Sequence, residues 1–402
     1  MDQQEKAKLS GITSKSLVFI EIIIYILFWL GPLTGNVILV LFGVLSMEFS
    51  VPPSSLLIAI PSFMFPFAVI QLFSGAISDI KGRFPVILFG LVLFGLGMLI
   101  AALSFSLMTY IIANILGGFG FGFVNPVLIA LMSDITPGPK IPKKMGYLGA
   151  VANLGVGFGP LIAGQMISYG WRYLYLLFVV ITVMGFIIIV LLRKQHKITK
   201  ITSFRLFLSH LSHEIRRIVV LLMIFSAFLA SHTYLASIIW TSRAFIGIVE
   251  ENLAGLILAL VGIIGALAGV FMGIVIEKKG VGYALIFGLL TLFIGMIILS
   301  LVGKIEIESL GFITIGLIFM GMSGGTLIPS IMFYSQTLSK ERRGALAGLA
   351  TAGQFIGIAL VPTTYESFFH SGGIGLVYLT ILIVSLLLLV VISLLYILTK
   401  NR

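Results

Sequence analysis

Apolar runs long enough to cross a bilayer recur along almost the whole of this 402-residue chain, and they restrict its fold more than any other feature. Twelve can be delimited, at about 16–46, 53–79, 84–104, 107–134, 145–168, 171–192, 218–241, 251–276, 281–302, 309–337, 344–365 and 373–398. A bilayer core asks for roughly 20 apolar residues of helix. Peptide groups in hydrocarbon must find their hydrogen bonds inside the protein, which a helix provides within a single segment. The expected fold class is therefore an all-α membrane protein with twelve transmembrane helices. Runs 1, 2, 4 and 10 exceed the minimum and predict tilted or protruding helices. The first run is too long for a cleavable signal peptide, and eleven more follow it. Composition agrees: 59% of residues are hydrophobic, 10% are charged and the mean hydropathy is +1.20, where soluble domains carry about a quarter charged residues.

The net charge of +11 does not indicate a nucleic-acid partner, because of where the bases lie. With the amino terminus inside, 22 of the 25 Lys and Arg fall on inner segments, and only Arg172, Arg243 and Lys304 lie elsewhere. This asymmetry predicts both termini in the cytoplasm. A cell-membrane, multi-pass protein is expected, with the lipid bilayer as its surroundings and no nucleic acid bound. With no cysteines, disulfides and thiolate metal sites are excluded. The one long polar interruption, 193–217, is rich in Lys and Arg and reads as a cytoplasmic linker near anionic headgroups. It divides the chain into a six-helix bundle at 1–192 and another at 218–402.

The two parts carry the same marks. Gly75-Ala-Ile-Ser-Asp79-Ile-Lys-Gly82-Arg83 stands between runs 2 and 3, and Gly273-Ile-Val-Ile-Glu277-Lys-Lys-Gly280 stands between runs 8 and 9, 198 residues later. A small residue, an acid four positions on, then a glycine with bases describes a tight hairpin between membrane helices. Gly146, Gly155 and Gly159 in run 5 recur at the same offset as Gly344, Gly353 and Gly357 in run 11. A constant offset implies a duplicated bundle whose repeats run in the same direction, related by an axis along the membrane normal.

These residues resemble the major facilitator superfamily, and among its branches the twelve-span drug:proton antiporters. The family's loop 2–3 signature is matched by Gly75, Asp79, Gly82 and Arg83, while Ile80 and Phe84 stand where bases are usual. The resemblance implies that Asp79 sits against the start of span 11 and that Arg83 pairs with an acid ending span 4, here Asp134. Asp79, Arg83, Asp134, Glu277 and Arg343 would then latch the cytoplasmic side. A carboxylate at a helix amino terminus gains from the dipole and the free N–H groups, typically 0.3–1 kcal/mol. Span 5, with Gly155, Gly159 and Pro160, resembles the antiporter signature of that branch. By the same resemblance spans 5 and 8 cross between the halves, with Gly262, Gly265 and Gly269 answering from span 8. Span 4 departs from the family: where an arginine often precedes a Gln-Gly pair, this chain reads Asn114-Ile-Leu-Gly117-Gly118.

Ionisable groups at membrane depth are costly and mark functional sites. His232 in span 7 and Glu21 in the first turns of span 1 are the candidates for proton coupling. The competing readings are a histidine bonded to a neighbouring helix and a glutamate that snorkels to the inner surface or meets Lys15. Tyr25, Trp29, Asn36, Phe119, Phe123, Asn125, Tyr234 and Met320 are the candidates for a substrate cavity lined by spans 1, 4, 7 and 10. Phe119 and Phe123, four apart, share a face of span 4. Aromatics, methionine and amides suit a bulky, mostly apolar solute better than a sugar or a multiply charged anion. No phosphate-binding loop, zinc-protease motif or nucleophile elbow occurs, so the sequence gives no support for an enzyme, a metal or a cofactor. The expectation is secondary active transport by alternating access, as a monomer: proton-coupled efflux of lipophilic or amphipathic small molecules. The alternatives are a facilitative or symport carrier of a metabolite such as a sugar or organic acid, and a transport-inactive sensor or scaffold.

Overall fold

The computed structural model describes residues 14–137, 140–192, 212, 214–338 and 343–400. Helix dominates them, and no strand occurs among the described residues. Eleven helical segments are long and apolar enough to cross a membrane. The last of these, Arg343–Lys400, has 58 residues, or about 87 Å at 1.5 Å per residue, nearly three bilayer cores. It is two spans: Gly372 (φ −142°, ψ 15°) and Gly373 (φ 64°, ψ −161°) break the helix, and the second conformation is open to glycine alone. Twelve crossings result. Spans 1 to 10 are built on Ser14–Asn36 with Ile38–Phe49, Pro53–Lys81, Arg83–Ala102, Leu107–Ile135, Ile141–Met166, Trp171–Leu192, Ile218–Phe245, Glu251–Lys279, Val281–Ser300 and Leu310–Thr337. Spans 11 and 12 are 343–371 and 374–400. Most of the expected linker, 193–217, lies outside the described residues.

Span 1 departs from the single run drawn from sequence, because its helix stops at Asn36 and restarts at Ile38. Pro32 brings no N–H to the carbonyl four residues back. Asn36 Nδ2 then donates to the Pro32 carbonyl at 2.7 Å, competing with the backbone for that acceptor. Span 4 has a built start: the Thr109 amide donates to Ser106 Oγ at 3.2 Å, and the Ser106 amide donates to Thr109 Oγ1 at 3.3 Å, a reciprocal cap that typically contributes about 1 kcal/mol.

The packing follows the duplication. In the first half span 1 lies on 5, 2 on 4, and 3 on both 4 and 6; in the second, 7 lies on 11, 8 on 10, and 9 on both 10 and 12. Each pair becomes its counterpart on adding six. Contact between the halves obeys the same rule: span 5 crosses span 8, and span 11 crosses span 2. The broken outer end of span 1 adds a third contact, where Ser242 Oγ of span 7 donates to the Leu39 carbonyl.

Candidate functional site

The hairpin between spans 2 and 3 turns at Gly82, where φ of 93° requires glycine. The turn delivers Arg83 to the base of span 3, buried to 7% exposure, where its guanidinium has three partners. Nε donates to Asp134 Oδ2 at 2.9 Å, Nη1 donates to Ser78 Oγ at 2.5 Å, and Nη2 stands 2.6 Å from Asp79 Oδ1 as a charge contact. Ser78 hands its own proton to the Gly75 carbonyl at 2.7 Å. One arginine thus ties the end of span 2 to the end of span 4. A buried cation with two carboxylates is held only while the whole set is complete, since removing one member leaves an uncompensated charge. Ser78 was not among the residues singled out from the sequence; its signal was the small residue standing just before the hairpin acid. Residues 339–342, just before span 11, and the side chain of Arg343, against which Asp79 is expected, lie outside the described residues.

The second hairpin repeats the turn without the cluster among the described residues. Gly280 has φ of 91°, close to the value at Gly82. Glu277 is exposed, and an added Cβ at Gly273 would meet nothing within 4 Å, as at Gly75. At the offset of 198, Arg83 corresponds to Val281. Pro126 of span 4 and Pro329 of span 10 are 203 apart, and at that offset Asp134 corresponds to Thr337.

The glycines of span 5 divide by face, which corrects the interface expected from sequence. A Cβ on Gly155 would lie 3.0 Å from the Trp29 carbonyl, and one on Gly159 would lie 2.5 Å from the Leu33 carbonyl. Both therefore seat span 1 of their own half. Their repeats do the same against span 7, Gly353 meeting the carbonyl of Ile224 and Gly357 that of Phe228. The crossing with span 8 uses other residues. A Cβ on Gly157 would approach the Ala259 carbonyl to 2.6 Å, one on Gly164 the Glu251 carbonyl to 2.5 Å, and one on Gly255 the Pro160 carbonyl to 2.6 Å. Gly262 lies against Gly157 and Asn153; Gly265 is shared between Asn153 and Gly321 of span 10; Gly269 faces Gly325, also of span 10. Gly157, Gly164 and Gly255 were missed because span 5 has glycines all round and its sequence does not say which face turns to span 8.

The expected proton carriers both have partners. His232 is buried, with Nδ1 at 2.7 Å from the Gly357 carbonyl. A carbonyl only accepts, so Nδ1 carries the proton that it shares. The ring stacks on Phe228 at 5.5 Å and leans on Tyr365 at 5.3 Å. Glu21 binds Lys144 of span 5 and accepts from Tyr25 Oη at 3.2 Å. The histidine is bonded to a neighbouring helix, as its competing reading had it, and Glu21 meets Lys144 of span 5 in place of the expected Lys15.

Three of the expected cavity residues turn elsewhere. Phe119 is 38% exposed, Phe123 packs edge-on against Phe89 of span 3 at 5.2 Å, and Met320 is fully buried with its sulfur against Gly295 of span 9. Packing of spans 3 and 9 against 4 and 10 claims Phe123 and Met320. Trp29 meets Phe158 of span 5 edge-to-face at 6.0 Å, and Asn36 is engaged by its own helix. Asn125 keeps a buried amide oxygen without a partner, and so does the Tyr234 hydroxyl, whose ring lies on Gly324. Between the halves, Phe67 of span 2 and Phe355 of span 11 meet edge-to-face at 4.3 Å, a contact that the sequence did not suggest.

Two like-oriented sets of six spans, joined by two symmetry-related crossings, with an arginine-centred hairpin on one of them, define a class of membrane carriers. The chain belongs to the Major Facilitator Superfamily, whose sequence profile matches residues 22–362 and 245–402. Quinolone resistance protein NorA of Staphylococcus aureus is 29% identical to it over 147 residues, which is 36% of this chain and 38% of that protein. Multidrug resistance protein 2 of Bacillus subtilis is 34% identical over 110 residues, 26% of this chain and 28% of that protein. The matches thus span well under half the length of these relatives. Among solved structures, the xylose transporter XylE from E. coli in a partially occluded inward-open conformation superposes with a TM-score of 0.71 at 16% identity, covering 93% of this chain and 97% of that one. A D-xylose-proton symporter gives 0.72 at 15% identity, covering 92% and 97%. At such identities the likeness is one of fold.

Proposed function

We propose that this transporter carries lipophilic or amphipathic small molecules out of the cell by alternating access, in exchange for protons. One observation carries the reading: the helices that meet between the halves touch through glycine, apolar, aromatic and uncharged polar residues, Gly157 on Ala259, Gly262 on Asn153 and Phe67 on Phe355. Such a wall suits an apolar solute and suits neither a sugar's many hydroxyls nor a polyanion. The relatives are drug-resistance proteins by name, which supports efflux over uptake. Rocking of one bundle against the other would work at the two crossings, and the Arg83 cluster would brace the inner end of the first bundle while its hairpin engages or leaves the second. Glu21 is the proposed proton carrier, because protonation would release Lys144 and Tyr25 at the inner end of span 1; His232 is already committed to a carbonyl of its own half. Both termini face the cytoplasm in this reading, in a cell membrane, and the chain works as a monomer of two bundles joined by 193–217.

The test is transport of a neutral lipophilic dye such as Nile red into everted vesicles or proteoliposomes. Accumulation should require an imposed pH gradient and fall sharply in Asp79→Asn, with that variant still folded in the membrane. Glu21→Gln should retain binding while uncoupling transport from the gradient. Movement that persists at full rate without any gradient removes the exchange claim in favour of a facilitative carrier.

A further inference from the structure

Span 1 is built in two pieces, Ser14–Asn36 and Ile38–Phe49, and its outer piece is held from both sides. The second half holds it near the break, through the Ser242 hydroxyl on the Leu39 carbonyl. One turn on, a Cβ on Gly43 would lie 3.6 Å from Ile246 Cγ2 and 3.8 Å from Glu251 Oε1. The first half holds the far end. Phe49 meets Trp171 edge-to-face at 6.0 Å and tilts on Tyr110 at 5.8 Å. Arg172, in the first turn of span 6, donates through Nη2 to Glu48 Oε1 at 2.8 Å and to the Ser104 carbonyl at 3.0 Å. Its guanidinium stands 4.4 Å from the Trp171 ring centre and 5.2 Å from that of Phe105. One side chain thereby joins the outer ends of spans 1, 3 and 6.

An ion pair this open to water, with side chains 31% and 36% exposed, contributes little by itself. Arg172 does more because a backbone acceptor and two rings share its guanidinium. Stacking fixes the plane of the fork, and the fork then selects where Glu48 can stand. The second half lacks this grip. At an offset of 203, which relates the positive-φ Gly170 to Gly373, Arg172 corresponds to Gly375. A Cβ there would meet the Gly303 backbone at 3.1 Å and the Val302 carbonyl at 3.4 Å. When the bundles part on the outer side, the outer piece of span 1 must leave with one of them. The interruption at 37 is a ready hinge, and the Leu39 contact lies just beyond it. An outer piece left unheld would bend there, stay on span 7 and keep the outer side sealed.

We infer that Arg172 is a positioning residue for outward opening. It commits the outer piece of span 1 to the first bundle, so that rocking breaks the Ser242–Leu39 contact instead of bending the helix at 37. This rests on the alternating-access reading and goes beyond it, by naming the bundle that carries the outer closure and the side chain that binds it there.

With no cysteine in the chain, pairs of introduced cysteines can carry spin labels on the full-length protein. In frozen nanodiscs every populated conformation then contributes its own separation. Met47→Cys with Tyr169→Cys, at sites 75% and 77% exposed, reports the outer piece of span 1 against its own bundle. Met47→Cys with Ile248→Cys reports it against the second half, and Met108→Cys with Leu301→Cys reports the separation of the bundles. With Arg172 in place, the first pair should give one narrow distance, and the second should spread as widely as the third. Arg172→Ala should broaden the first and hold the second at its short end, while the third keeps its full spread. Arg172→Lys, which keeps the charge, should recover part of the narrow distance. Glu48→Gln should act like Arg172→Ala in weaker form, and takes its place if that variant fails to fold. Nile red binding, read as a rise in melting temperature, should survive Arg172→Ala while Nile red transport falls; simple loss of structure would remove both. An unbroadened first distance, a second that still follows the third, or undiminished transport overturns the proposal. A single bundle separation with Arg172 in place would instead sink alternating access, and this proposal with it.

Discussion

The two halves of the molecule share a backbone and part company in their side chains. At the crossing of spans 5 and 8 the helices touch through glycine: Gly157 lies on the Ala259 carbonyl and against Gly262. The crossing of spans 11 and 2 is its counterpart under the repeat, and there the position equivalent to Gly157, at an offset of 198, is Phe355, while that equivalent to Gly265 is Phe67. The rings meet at 4.3 Å. One seam is closed by backbone, the other by removable side chains. The hairpins differ in the same manner, with the same positive-φ glycine at 82 and 280 but, among the described residues, a buried ionic cluster only at the first. Duplication fixed where helices cross and turn, and left each half free to choose how the contact is filled. A seam of backbone suits a pivot and a seam of rings suits a gate, because rings can separate without leaving peptide groups stranded in lipid.

The sharpest way to break the comparison is Arg83→Ala. It leaves Asp79 and Asp134 together without their cation, and should cost about 3–5 kcal/mol, read as a large drop in melting temperature in detergent. Val281→Ala, at the equivalent place, should be mild. Next comes Gly262→Leu, which drives a side chain into the backbone of span 5; overpacking of this kind costs roughly 1–3 kcal/mol or more, and cross-linking between spans 5 and 8 should report their separation. Phe355→Ala at the ring-filled seam should cost about 2 kcal/mol, less than a fully buried phenylalanine, and should make residues near Phe67 more reactive to water-borne labels once a cysteine is placed there. An equal or greater loss than at Gly262 would reverse the assignment of pivot and gate. The smallest effect is expected of Glu277→Gln: an exposed acid without a cluster should change stability by no more than about 0.5 kcal/mol, and a loss like that of Arg83→Ala would show that the second hairpin has a buried partner after all.

Much of the fold was legible in the sequence because lipid enforces it. Twelve apolar lengths and the offset of 198 delivered the span count and the duplication. The arginine cluster was legible in part, through the family resemblance that paired Arg83 with Asp134 and set Asp79 in the hairpin, whereas Ser78 looked like an ordinary small residue. The faces were not legible. Gly155 and Gly159 were assigned to the wrong neighbour, and Phe119, Phe123 and Met320 were expected inside. In water, a helix advertises its buried side by contrast with a polar one. In a bilayer, lipid tails are as apolar as leucine, and that contrast vanishes.

The sequence by itself therefore determined how many times this chain crosses the membrane, where it turns and that it is built twice. Tertiary structure alone decided which side of each helix meets which neighbour, that Lys144 holds Glu21, that Gly357 holds His232, and that Arg172 holds Glu48. The physical reason is that crossing depends on length and apolarity, which are summed along the chain. Partnership depends on rotation about a helix axis, which only the packing of neighbouring helices sets.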